Sequence, residues 1–170
     1  MNTTIRWLTA LLVVSSASLR AEDQGPVRVE FVAPEKFTDV SMYRARMAPE
    51  KNPNLDALRK HTQKRATRYL SDGQTLLIQF TDIDLAGDHL PNTDPSLYDV
   101  RIVTGLYPPR IKLNYSLQSA SGSVLKAGQV DLRDLGFDSS SPGRSSDALR
   151  YEKYMLDRWM RKEFGGVGKG

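Results

Sequence analysis

The run from Arg110 to Gln118, Arg-Ile-Lys-Leu-Asn-Tyr-Ser-Leu-Gln, alternates polar and apolar residues without a break. Successive side chains of a strand point to opposite faces, so the run predicts a strand with Ile111, Leu113, Tyr115 and Leu117 buried. Arg110, Lys112, Asn114 and Ser116 then face water. Only an antiparallel sheet with one solvated face asks for that pattern, because strands covered on both faces read as continuous apolar runs. Any fold for this chain has to be built around such a sheet, with helices on its dry side.

The neighbouring segments supply the rest. Val27 to Val32 alternates and reads as a strand, stopped by Pro34. Residues 33–51 are irregular, with Phe37 and Tyr43 expected to pin them to the core. Asn52-Pro53 is a helix start, and Leu55, Leu58, Thr62, Ala66 and Tyr69 recur at helical spacing, predicting a helix from Pro53 to Leu70. Asp72-Gly73 ends it. Gln74 to Leu85 reads as a strand whose phase slips after Thr81, so a β-bulge is expected there. Residues 86–98 form a loop, Asp99 to Val103 a short strand, and Gly105 to Pro109 a turn. Ser119 to Gly122 is a hairpin loop leading into Val124 to Leu132, where a second bulge is expected at Gly128. Residues 135–147 are Ser- and Gly-rich and read as a mobile loop. Asp147 is positioned to cap a final helix, with Tyr151, Met155 and Trp159 as its buried stripe, widened by Leu156 and Met160. The order predicts an α+β fold: two layers, a mainly antiparallel and possibly mixed sheet of about five strands, both helices on one face. If the first helix joins parallel neighbours, the crossover is expected to be right-handed.

Composition decides which chemistry such a fold can carry. The N-terminus has Arg6 as its early charge, an apolar block from Trp7 to Val14, and small residues leading to Ala21. That is the grammar of a removable export signal, residues 1–21. The block is shorter than the roughly 20 residues a membrane-spanning helix needs, so no transmembrane anchor is expected after cleavage. The expected organisation is a signal at 1–21, a single domain at 22–164 and a disordered Gly-rich tail at 165–170. Cysteine is absent, which excludes disulfides, thiolate metal sites and thiol nucleophiles. No cofactor is expected, since an exported chain has no reduced nicotinamide or ATP pool to draw on. The 24 Lys and Arg exceed the 20 Asp and Glu by four, and removing Arg6 and Arg20 lowers the excess to two, which argues against nucleic acid as a partner.

Charge is segregated along the chain. Arg44 to Arg68 is rich in bases, and the helix within it presents Arg59, Lys60, Lys64 and Arg68 as a candidate surface for a polyanionic glycan or lipid. The alternative is an ordinary solvated helix face. Tyr69 to Val100 holds no Lys or Arg but six aspartates, and Asp82 and Asp84 lie two apart on a strand, hence on one face. Asp82, Asp84 and Asp99 with Arg101, Tyr107 and Arg110 form a candidate binding cluster, in which the arginines and loop backbone would hold the two strand carboxylates. Asp82, Asp84 and Asp88, with His89 nearby, are the alternative, a divalent-cation site serving an envelope hydrolase. Their spacing does not match a calcium helix-loop-helix. His61 reads as a surface residue of the first helix. No Gly-x-Ser-x-Gly occurs, and the terminal Gly-rich run follows a helix, the wrong context for a phosphate loop. Tyr107-Pro108-Pro109-Arg110 is a rigid approach to the strand, where Tyr107 and Arg110 could stack or pair.

Four motifs belong together: Val29-Glu30-Phe31-Val32 with Pro34 to Asp39; Thr81-Asp82-Ile83-Asp84-Leu85-Ala86-Gly87; Asp99-Val100-Arg101-Ile102 followed by Tyr107-Pro108-Pro109-Arg110-Ile111; and Tyr151-Glu152-Lys153 with Leu156, Trp159 and Phe164. In this set the chain resembles an uncharacterised family of small exported proteins of Gram-negative bacteria, a domain of unknown function. The resemblance spans Val27 to Phe164. It implies a periplasmic or otherwise exported protein, and it carries over no catalytic residue, cofactor or substrate. The expected function is a non-enzymatic binding or assembly module, its partner an envelope protein or a polyanionic glycan or lipid.

Overall fold

The computed structural model describes residues 25–39, 52–89, 101–139 and 146–165. Its elements are β1 (Val27–Phe31), α1 (Pro53–Ala66), β2 (Thr75–Asp84), β3 (Arg110–Gln118), β4 (Val124–Arg133) and α2 (Arg150–Phe164). The strands form one sheet in the order β1-β2-β3-β4. β1 runs parallel to β2, while β2–β3 and β3–β4 are antiparallel. The fold is therefore α+β with a mixed sheet, and α1 is the crossover between the two parallel strands.

The alternating run behaves as its pattern requires. Ile111, Leu113, Tyr115 and Leu117 are buried and their neighbours half-exposed. Leu76, Ile78 and Phe80 of β2 and Val27 and Val29 of β1 share that dry face. Leu55, Leu58 and Ala66 of α1 and Met155, Leu156, Trp159, Met160 and Phe164 of α2 close over it, so both helices lie on one side of the sheet. Each fully buried Leu or Phe adds about 1.5–3 kcal/mol. Phe37, on the 3₁₀ turn region after β1, is fully buried and pins that segment as expected.

β2 keeps its core face despite the phase slip because register shifts between Phe80 and Asp82. Thr81 is the extra residue. The bulge returns Ile83 to the core and sends Asp82 and Asp84 to the wet face.

Several expectations need correction. The bulge expected at Gly128 is absent: Gly128 pairs in register with Tyr115, and the shift lies where Leu117 and Gln118 face Lys126 and Val124. Gly128 serves packing instead, because a Cβ there would stand 3.0 Å from the Tyr115 ring. Asp99–Val103 supplies no ladder strand among the described residues. Ile102 makes only an isolated bridge to Asp88, which leaves four strands rather than five. The first helix is α-helical to Ala66 and tightens to a 3₁₀ turn over Thr67–Tyr69. Asp147 does not occupy the N-cap of α2; Leu149 does, and the Asp147 side chain, two residues earlier, accepts from the Leu149 N–H at 2.9 Å. Phe137, within the segment read as a mobile loop, is buried edge-on against Tyr151. Residues 1–21, Tyr43, Asp99 and most of the tail lie outside the described residues. Among the described residues, no helix is long and apolar enough to cross a membrane.

Candidate functional site

The carboxylates gather at the end of the sheet where β2 stops and β3 begins. Asp82 accepts from the Thr38 N–H at 2.9 Å and its hydroxyl at 3.1 Å, with the Lys112 ammonium 3.9 Å away. Asp84 faces Arg110 across the ladder, yet Arg110 gives its guanidinium to Asp131 of β4. Burial and the neighbouring Asp39 and Asp82 push the Asp84 carboxyl above its ordinary range, against the pull of Arg101. Arg101 pairs with Asp39 and donates to the Gly87 carbonyl at 2.7 Å and the Leu85 carbonyl at 3.3 Å. Asp39 in turn accepts from the Leu85 N–H at 2.8 Å. The arginines expected on Asp82 and Asp84 therefore serve Asp39 and Asp131.

Two members of this network escaped the sequence reading. Asp39 sits in an irregular segment that offers no periodic signal. Glu152 did leave one: Leu149, Glu152, Leu156 and Trp159 are spaced as a helix stripe, and a charge on a stripe marks a buried acid. Glu152 is 1% exposed, and one carboxylate oxygen accepts from the Ala86 N–H at 2.6 Å while the other has no partner among the described residues. Burial pushes its carboxyl up. Together, Asp39, Arg101 and Glu152 hold the backbone of residues 85–87, where Gly87 at φ +84 lies against the Ile102 carbonyl. The Asp88 carboxylate accepts from the His89 N–H at 2.7 Å. Tyr107 joins through its backbone, its carbonyl accepting from the Gly87 N–H at 2.9 Å. Among the described residues, no three His, Asp or Glu side chains are grouped to hold a metal ion.

The basic helix is arranged differently. With Leu55, Leu58, Thr62 and Ala66 buried, α1 turns Arg59, Gln63, Lys64 and Thr67 towards β1, the outermost strand of the sheet among the described residues. Between them lies a groove of about 540 Å³, walled on the other side by Gly25, Pro26, Val27 and Val29. No acid lines it. The Arg59 guanidinium stands 5.0 Å over the Phe31 ring and 3.9 Å from Asp56. Lys60 pairs with Asp56 at 2.7 Å, outside the groove. Lys64 and Arg68 make no ion pair among the described residues. His61 is not a bare surface residue: with Arg65 it holds Asp157 of α2, at 2.8 and 2.5 Å. Burial alone would raise the Asp157 carboxyl, but those two hydrogen bonds hold it below its ordinary range.

The edge of β1 is polar. The Leu76 N–H donates to the Pro26 carbonyl and the Val32 N–H to the Phe80 carbonyl, so the even-numbered residues pair with β2. The backbone groups of Val27, Val29 and Phe31 therefore point away from β2, and Val27 and Val29 are buried there. Gln63 answers one of them, its side-chain amide donating to the Val27 carbonyl at 3.3 Å.

Among known families, one described as protein of unknown function (DUF3016) matches residues 25–162. No curated protein and no solved structure matches the chain.

Proposed function

The chain belongs to the DUF3016 family, and from the charges that line the groove between β1 and α1 we propose that it is a non-enzymatic binding module of the bacterial envelope, taking an anionic chain into that groove. The carrying observation is the lining of that groove: Arg59 and Lys64, with Gln63 and Thr67 beside them and no acid among the described residues. A groove with low-dielectric walls and one sign of charge raises the local concentration of the opposite charge. The export signal read over residues 1–21 would deliver the module to the periplasm, where carboxylated and phosphorylated chains are abundant. The cation reading of Asp82, Asp84 and Asp88 has less support, since Asp82 is engaged by Thr38 and Asp88 by the backbone of His89.

Heparin, used as a generic polyanion, tests the proposal by isothermal titration. The Arg59→Gln, Lys64→Gln double variant should bind at least about tenfold more weakly, the loss of roughly 1.4 kcal/mol. Arg110→Gln, on the far side of the sheet, should bind as the parent does. Equal affinity in the parent and the groove variant would remove the groove from the function.

A further inference from the structure

We infer that the outer face of the two helices is a docking surface for an anionic lipid bilayer. This goes beyond the groove beside β1: the surface is a plane built from both helices, and of the groove's cations it shares only Lys64.

The distribution of exposed charge carries the argument. Along α1, the turn after it and α2, Lys60, Lys64, Arg68, Arg158, Arg161 and Lys162 are exposed, and all are cations. The acids of the helices are withdrawn or paired. Glu152 is buried, Asp157 is held by His61 and Arg65, Glu163 by Lys126 and Tyr115, and half-exposed Asp56 pairs with Lys60. Lys64, Arg68, Arg161 and Lys162 make no ion pair among the described residues. An ordinary solvated surface intersperses both signs. The wet face of the sheet does so, with Arg28 beside Glu30, Arg110 beside Asp131 and Lys112 near Asp82. A face of one sign draws in the opposite charge.

The shape of that face selects the occupant. Lys60 stands two residues from buried Leu58 and Thr62, Lys64 two from Thr62 and Ala66, Arg158 two from Leu156 and Met160, and Arg161 two from Trp159. Two residues are about 200° of helix, so these side chains leave on the side away from the core. The helices lie side by side on one face of the sheet, tied through Asp157, so two rows of cations share a plane. A glycan or an acidic peptide is a line and needs its cations along one groove. A bilayer presents its phosphates over a plane and meets both rows at once. Tyr154, two residues from Glu152 and Leu156 and 5.8 Å from the Arg158 guanidinium, adds to that face the amphipathic ring suited to headgroup depth.

The test uses the full chain, vesicles of phosphatidylcholine alone or mixed with phosphatidylglycerol, and heparin as a linear polyanion. Phosphatidylcholine vesicles register any binding through the apolar N-terminus. The mixed vesicles should bind at least about tenfold more tightly, and the Arg68→Gln, Arg161→Gln, Lys162→Gln variant should lose that gain. None of its three positions lines the groove, so its heparin affinity should match the parent's. Arg28→Gln, Arg110→Gln, Lys112→Gln removes as many charges from the wet face of the sheet and should keep the gain. The chain has no cysteine, so a polarity-sensitive fluorophore on Tyr154→Cys is unique. It should shift to the blue on mixed vesicles, and one on Gln129→Cys, across the sheet, should not. Equal losses in the two triple variants would mean that net charge alone acts, and a blue shift at position 129 but not at 154 would put the wrong face on the membrane; either result overturns the inference. If heparin binds but phosphatidylglycerol adds nothing, the bilayer inference is wrong and the groove reading stands. If neither binds, both are wrong.

Discussion

A carboxylic acid on the buried stripe of a helix must be neutral or fully partnered, and Glu152 is held on one oxygen only. Its folded-state proton affinity is raised, first by burial, so the folded chain binds more protons than the unfolded one as pH climbs from 4.5. Stability contributed by this residue therefore falls with rising pH. Glu152→Gln keeps an acceptor for the Ala86 N–H and cannot ionise. Denaturant melts should show the variant gaining on the parent between pH 4.5 and 8, with the difference shrinking towards acid. A parallel pH dependence in the two proteins would show that Glu152 is not the source. At this scale the sequence was only partly readable. The stripe spacing exposes Glu152, but nothing local tells that Arg101 goes to Asp39 rather than Asp84, because that choice is made by a segment 62 positions upstream. Gly128 is similar: its role becomes visible only once Tyr115 lies across the ladder from it.

The helices are joined to each other as well as to the sheet. Asp157 of α2 receives His61 and Arg65 of α1 through a carboxylate 15% exposed. Its lowered proton affinity means that this tie adds stability above the ordinary carboxylate value of 3.8, and the contribution is lost as pH falls through the lower folded-state value. Asp157→Asn should cost about 1.5–3 kcal/mol near neutrality, the range for hydrogen bonds to a charged group. The gap should narrow below pH 3.8 as the parent loses the same interaction. Urea denaturation at pH 7 and pH 3 measures both. Element identity was the most legible layer, since alternation and helical stripes are local patterns enforced by burial. The segment from Asp99 misled because a short apolar run does not say whether a partner strand will lie beside it; the bridge from Ile102 to Asp88 leaves it a loop.

Across the molecule, the sheet is dry on one face and carries exposed ion pairs on the other, among them Arg110–Asp131 and Arg28–Glu30. Exposed pairs contribute little and are screened by salt, whereas apolar burial is not. Raising NaCl from about 0.05 to about 0.5 M should leave the melting temperature within a few degrees, yet weaken polyanion binding by roughly tenfold or more if two charges are neutralised. A melting temperature that falls in step with affinity would mean that salt is unfolding the chain rather than screening a groove. The bases of that groove were legible in the sequence as a charged helix. Its other wall was not, because only tertiary pairing carries β1 to the side of α1.

The parallel pairing of β1 with β2 has a kinetic consequence. β3 and β4 are joined by the short loop 119–123 and β2 reaches β3 across residues 85–109, whereas Val27 has to find Leu76 with the whole crossover helix between them. Large closures come late in assembly, since their entropy is spent before any contact returns it. On this ground β1 is expected to dock last, and until it docks that edge of β2 lies bare. A chain caught at that stage would recruit whatever strand is nearest, its own copies included.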